Sequence, residues 1–172
     1  MIIMGIDPGI AITGYGIIES NGSQLKAIDY GYIQTLSYEA STSRLKAIYE
    51  GVCGLIKTFN PDILSIEELF FNENARTAIA VGQARGVAVL AAAMNNVTVN
   101  EYTPLQVKQS VVGYGRAKKE QIQFMVKEML NLKEIPKPDD VADALAVAIC
   151  HCNWYKLADR INSKKEKGLK RK

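Results

Sequence analysis

A chain of 172 residues suits one globular domain with a core large enough to need no disulfide or metal staple. Its 48% hydrophobic and 23% charged content excludes a wholly disordered chain, a collagen-like fibre and a disulfide scaffold. The formal net charge of +3 divides unevenly: the stretch 164–172 holds six Lys/Arg and one Glu, which leaves 15 basic and 17 acidic residues before it, so any contact with nucleic acid must rest on where charges sit. No apolar run reaches the ~18 residues of a membrane span. The opening MIIMGIDPG lacks the basic region of a signal peptide, and three scattered cysteines fit a reducing, cytoplasmic setting.

Residues 2–6 (IIMGI) are a β-branched apolar run and predict a strand, followed by the turn residues Asp7-Pro8-Gly9. Residues 13–19 and 25–35 predict two more strands joined by an Asn21-Gly22 turn, so the chain opens as an antiparallel meander. From Ser41 to Phe59 the period changes: Leu45, Ile48, Tyr49, Val52, Leu55, Ile56 and Phe59 mark an amphipathic helix with Ser41 or Thr42 near its cap, ended by Pro61. Residues 63–67 (ILSIE) predict a fourth strand, 74–94 an Ala- and Gly-rich helix, and 97–102 a fifth strand. A short helix follows at 104–111, then the glycine loop 113–116, a helix over 118–131, the break IPKP at 135–138, and a last helix over 139–157. A hairpin opening that feeds βαβ crossovers implies an α/β fold with a mixed five-stranded sheet flanked by helices. We read residues 1–157 as a single domain and 158–172 as a basic, disordered tail.

Most of the eighteen acids are surface solvation, but a few have apolar neighbours. Asp7 follows IIMGI and Glu67 follows ILSI, and strands one and four can lie side by side. Asp140 and Asp143 lie three residues apart, on one helix face. Carboxylates that converge at buried strand ends need compensation, and hard oxygen donors without His or Cys favour Mg²⁺ or Mn²⁺. Two such ions can hold a phosphodiester, activate water and stabilise the leaving oxygen. Each acid has a plainer reading when taken singly: Asp7 can end its strand in an Asx turn, and Asp139 and Asp140 can serve the helix N-terminus.

The blocks IDPGIAITGYG (6–16), SIEELFF (65–71), GQARGV (82–87), QVKQSVVGYGRAKKEQ (106–121) and DDVADALAVAICH (139–151) together resemble the RuvC family of Holliday-junction resolvases. The resemblance runs in order from residue 2 to about 152. It implies an RNase H-like fold and a homodimeric, Mg²⁺-dependent endonuclease that cuts two opposed strands of a four-way DNA junction symmetrically, in recombination and repair. By motif its four acids fall on Asp7, Glu67, Asp140 and Asp143; some members carry His for one of the last two, and this chain keeps Asp at both. The resemblance further implies two ions per site with Asp7 bridging them, Mn²⁺ as a substitute for Mg²⁺, and products with 5′-phosphate and 3′-hydroxyl ends. It also implies cooperation with the RuvA–RuvB branch-migration complex and a preference for a thymine-containing tetranucleotide.

For DNA contact the stretch 103–119 holds Lys108, Arg116, Lys118 and Lys119 and no acid. The family places two lysines of this block, matching Lys108 and Lys119, near the scissile phosphate, and an aromatic at the Phe70 position against the crossover. Phe71 reads as core packing. The small-residue helix over 74–94 is assigned to the subunit contact, because two symmetric cuts need two sites. Cys150-His151-Cys152 with Cys53 totals four zinc donors, but consecutive helix positions diverge, and buried thiols beside a surface His is the preferred reading. Two rivals remain: an actin-like ATPase, whose phosphate hairpin resembles DPGIAITG but which needs two such domains, and a junction-binding module without catalysis.

Overall fold

The computed structural model describes residues 1–22, 24–69 and 75–169, with side chains described outside 75–77 and 156–169. Five strands form one sheet: β1 (Ile2–Asp7), β2 (Ile12–Ser20), β3 (Leu25–Gln34), β4 (Ile63–Glu67) and β5 (Thr98–Tyr102). Their order is β3-β2-β1-β4-β5. The first three are antiparallel neighbours, and β4 and β5 run parallel to β1, as crossovers through a helix require. The mixed five-stranded sheet expected from the sequence is therefore the one observed.

Helices cover both faces. On one face α1 (Ser41–Phe59) and α2 (Ala75–Met94) bury Ile48, Val52, Ile56, Ala84, Ala88, Ala91 and Ala92 against Met4, Ile6, Ile17, Leu64 and Ile66. On the other lie α3 (Pro104–Val112), α4 (Lys119–Met129) and α5 (Asp139–Leu169). Helix α5 is the hub of this layer, because its run from Ala144 to Cys152 is buried on every side and packs on β1, β2 and β4. Ser65 Oγ donates to the Val147 carbonyl at 2.8 Å and pins β4 to the middle of that helix.

Boundaries differ from the sequence reading where side chains or turns compete. Helix α1 begins at Ser41, and its cap is Ala40 with no side-chain bond, so neither Ser41 nor Thr42 caps it. Strand β5 starts at Thr98 because the Val97 N–H is committed to the Ala92 carbonyl, closing α2. Helix α4 stops at Met129, and Asn131 takes a left-handed turn (φ 51°) beyond it. Helix α5 is continuous to Leu169, past the expected 157; nothing in 156–169 breaks a helix before Gly168. His151 is not on the surface: it is 5% exposed, and its Nδ1 lies 2.8 Å from the Tyr102 hydroxyl. Cys53 belongs to the core on the opposite face of the sheet from Cys150 and Cys152, which separates the four zinc donors.

Candidate active site

Parallel pairing of β1 with β4 sets Gly5 beside Ser65 and Ile6 beside Ile66, so Asp7 and Glu67 end neighbouring strands. Asp7 also pairs with Gly14 of β2, and Glu67 with Tyr102 of β5. A transverse row of Gly14, Asp7, Glu67 and Tyr102 thus crosses one edge of the sheet. Alternation turns Glu67 to the face of Ser65, the face on which α5 lies.

Glycines on β1 and β2 let α5 descend onto the strands. A Cβ on Gly14 would collide with the Asp140 carbonyl, and one on Gly5 with the Ala144 carbonyl. Close approach carries Asp140 and Asp143, one turn apart on α5, toward Asp7. The loop after Asp7 is fastened as well. Thr13 Oγ1 donates to the Gly9 carbonyl at 2.7 Å, and Arg44 donates to Thr35 Oγ1 at 2.8 Å and to the Ile10 carbonyl at 3.1 Å.

Electrostatics record the convergence. Burial, then Asp143, Asp140 and Glu67, push the Asp7 carboxyl up to about 7, against the pull of Lys119. Burial and Asp143 push Glu67 up to about 7, opposed by Lys108. Asp143 is raised by burial even though Lys119 pulls the other way. The Lys119 Nζ bridges Asp143 and Asp139 at 3.2 Å each, and Gln123 Nε2 donates to Asp139 at 3.0 Å. Among the described residues no group of three or more Asp, Glu, His or Cys side chains is arranged so that it could hold a metal ion as it stands. The four acids share one electrostatic neighbourhood, with Asp143 turned to Lys119.

Beside the acids lies a cleft of about 270 Å³ lined by Glu67, Asp143, Lys108 and Lys119 over a floor of Val107, Ala117, Ile122 and Ala146. Lys108 is carried by α3, whose start is fixed by a reciprocal cap between Thr103 and Gln106. Arg116 and Lys118 are exposed in the turn that leads into α4. Phe70 and Phe71 lie outside the described residues. The chemistry of the acids fits a hard dication: all are carboxylate oxygens, and the burial and neighbouring carboxylates that raise Asp7 and Glu67 disfavour a charge that a bound cation would offset.

Two contacts beside the row escaped sequence reasoning. Tyr102 and His151 tie β5 to α5, and the His151 Nε2 has no partner among the described residues. Arg85 of α2 donates from Nε to the Glu67 carbonyl at 3.2 Å and pairs with Glu101 at 2.6 Å. An arginine set among Ala and Gly in a packed helix was the available signal for the second; the first carried none.

A family profile described as crossover junction endodeoxyribonuclease RuvC matches residues 3–151. A protein of that name from Desulforamulus reducens is 62% identical over 154 residues, covering 90% of this chain and 94% of its own length. One from Alkaliphilus oremlandii is 63% identical over 153 residues, covering 89% of this chain and 93% of its own. Among solved structures, Thermus thermophilus RuvC in complex with Holliday junction substrate superposes with a TM-score of 0.88 at 35% identity, over 92% of this chain and 96% of that one. The yeast mitochondrial Holliday junction resolvase shares the fold at a TM-score of 0.69 and 15% identity, over 95% of this chain and 83% of that one.

Proposed function

The chain belongs to the RuvC family of crossover junction endodeoxyribonucleases, a metal-dependent family, and from that premise we propose that Asp7, Glu67, Asp140 and Asp143 are its metal-holding and catalytic acids. The protein is a Holliday-junction resolvase, a hydrolase of DNA phosphodiesters acting in recombination and repair. One observation supports the site assignment: acids from three separate segments act on one another's charge at the ends of β1 and β4, and Asp7 and Glu67 both resist ionisation.

The ions are Mg²⁺, two per site, with Mn²⁺ able to substitute; bound, they lower the pKa of water and offset charge on the phosphodiester oxygens. Asp7, central in the row, would hold the ions together with Glu67 of the neighbouring strand end and with Asp140 and Asp143 of α5. Lys108 and Lys119 line the cleft beside these acids and hold the phosphate by charge. Asp139 and Asp143 keep the Lys119 ammonium protonated and aimed at the site. The apolar cleft floor limits water around the reacting group. Products carry 5′-phosphate and 3′-hydroxyl ends.

Arg116 and Lys118, exposed beside the cleft, extend phosphate contact, and Phe70 stacks on an unpaired base at the crossover. The working form is a homodimer joined through α2, whose Ile79, Leu90 and Met94 stand 62%, 52% and 66% exposed. Its substrate is a four-way junction delivered by the RuvA–RuvB branch-migration complex. The catalytic unit spans 1–157, and the protein is cytoplasmic; no described helix is long and apolar enough to cross a membrane.

A synthetic four-way junction incubated with and without Mg²⁺ tests this reading. Paired, religatable nicks that need the ion and vanish in Asp7→Asn, while that variant still binds the junction, are the expected result. Cleavage by Asp7→Asn at the wild-type rate overturns the site assignment, and equal digestion of linear duplex overturns the substrate assignment.

A further inference from the structure

The Glu67 backbone stands where the sheet runs out of partners. On one side the residue that follows Asp7 is Pro8, which has no N–H. On the other, β5 ends at Tyr102, and the Thr103 N–H is taken by Gln106 Oε1 at 2.8 Å. The next ladder bond, from the Glu68 N–H to the Tyr102 carbonyl at 2.8 Å, shows that the chain is still ordered there. The Glu67 carbonyl instead accepts from Arg85 Nε at 3.2 Å, across from α2. The same guanidinium reaches Glu101 Oε2 at 2.6 Å, one residue before the end of β5. Its side chain is 18% exposed, and Ala84 and Ala88 bury the helix face on either side of it.

We propose that Arg85 is a positioning residue, which fixes the Glu67 main chain, and hence its carboxylate, by bridging the ends of β4 and β5 to α2. The proposal rests on the reading of Glu67 as a metal-holding acid. A guanidinium suits the task because its fork is planar and rigid, so a bond to Glu101 on one nitrogen sets the direction of the bond from Nε. An ion pair with a half-exposed Glu101 contributes little stability. Its consequence is placement: an acid whose carbonyl is unanchored at a strand end samples several side-chain positions, and metal donors tolerate little of that. The guanidinium is engaged by the Glu67 carbonyl and by Glu101, so the role assigned to it acts through Glu67.

The test uses the full-length protein with Arg85→Met, Arg85→Lys and Glu101→Gln. Mn²⁺ binding without DNA is measured by calorimetry or paramagnetic resonance, single-turnover cleavage of a synthetic junction by gel, and junction affinity in EDTA. Arg85→Met should bind Mn²⁺ about tenfold more weakly and cleave roughly 10–100-fold more slowly, as loss of an outer-sphere support does. Its Mg²⁺ midpoint should rise, and junction affinity should hold within about twofold. Arg85→Lys should recover part of the loss. Glu101→Gln, an exposed change that leaves the fold intact, should move in the same direction by less. If Arg85→Met and Glu101→Gln keep Mn²⁺ affinity and rate within about twofold of wild type, the proposal is overturned. A fall in melting temperature and rate with unchanged Mn²⁺ affinity also overturns it, since that is the mark of structure alone. A wild type that binds no Mn²⁺ overturns the metal reading itself, which is a different result.

Discussion

Asp7 is an acid whose charge the fold disfavours, and that cost is measurable. Its ordinary value of 3.8 becomes about 7 when burial and three neighbouring carboxylates act on it. Between those values the folded protein binds a proton that the unfolded chain has released. Stability of the metal-free protein therefore falls as pH rises from about 4, and the loss is complete above about 7. At ~1.4 kcal/mol per unit, discounted for coupling among the acids, the loss is about 2–4 kcal/mol. Asp7→Asn removes the charge and keeps the shape. In EDTA at pH 8 this variant should melt roughly 4–12 °C above wild type, and the difference should vanish near pH 4. Added Mg²⁺ should raise the wild type and leave the variant nearly unmoved, while junction cleavage by the variant drops to background. A melting difference that ignores pH would show that charge repulsion is not what raises Asp7. His151 has the opposite sign. Burial holds its pKa below 6.5, so it folds neutral, and stability declines as pH falls below about 6.5. Tyr102→Phe would leave its Nδ1 unpaired and should cost about 1–3 kcal/mol, read by denaturant melts at pH 8.

Among the elements, the decisive contact is α5 on β1 and β2, and it depends on the absence of side chains. Gly14→Ala places a methyl against the Asp140 carbonyl, so either the helix lifts or the strand bends. The expected cost is about 1–3 kcal/mol in a denaturant melt, with a larger loss in cleavage because Asp140 and Asp143 move with the helix. Retention of full cleavage would mean that the acids tolerate the shift. Much of this layer was legible in the residues. The β-branched apolar run and the Asn21-Gly22 turn mark the meander, the following βαβ pattern allows β1 to lie beside β4, and so Asp7 and Glu67 can be read at neighbouring strand ends, where the sheet order places them. The three-residue spacing of Asp140 and Asp143 shows a shared face. What was not legible depends on long-range packing. An arginine among the Ala and Gly of 82–87 is conspicuous, but its pattern does not say that it reaches across to the carbonyl of Glu67, eighteen residues back. His151 reads as polar, and only the burial of the whole helix around it makes it a core residue. Helix α5 also outran its amphipathic signal, because polar helix formers extend a helix without any apolar period to mark them.

At the scale of the molecule, each chain brings one set of the four proposed acids, while symmetric resolution requires two facing cuts. The proposed two-fold assembly would supply the second, with α2 as its contact, since Ile79, Leu90 and Met94 are exposed on a helix whose opposite face is packed in the core. Leu90→Asp tests it. Leu90 is half-exposed in the single chain, so the change should leave the fold within about 0.5 kcal/mol of wild type. Buried at a two-fold contact, the carboxylate would cost about 2 kcal/mol or more per copy, and symmetry counts it twice. The dimer should weaken by about a thousandfold, and sedimentation at micromolar concentration should show monomers. Mn²⁺ affinity per chain should be unchanged, because every proposed donor comes from within the chain. On a supercoiled plasmid with an extruded cruciform, wild type should give linear product, both strands being cut within one encounter. Leu90→Asp should give nicked circles, because a lone site cuts and dissociates before a second arrives. If Leu90→Asp still sediments as a dimer and still linearises the plasmid, α2 is not the contact that brings two active sites onto one junction.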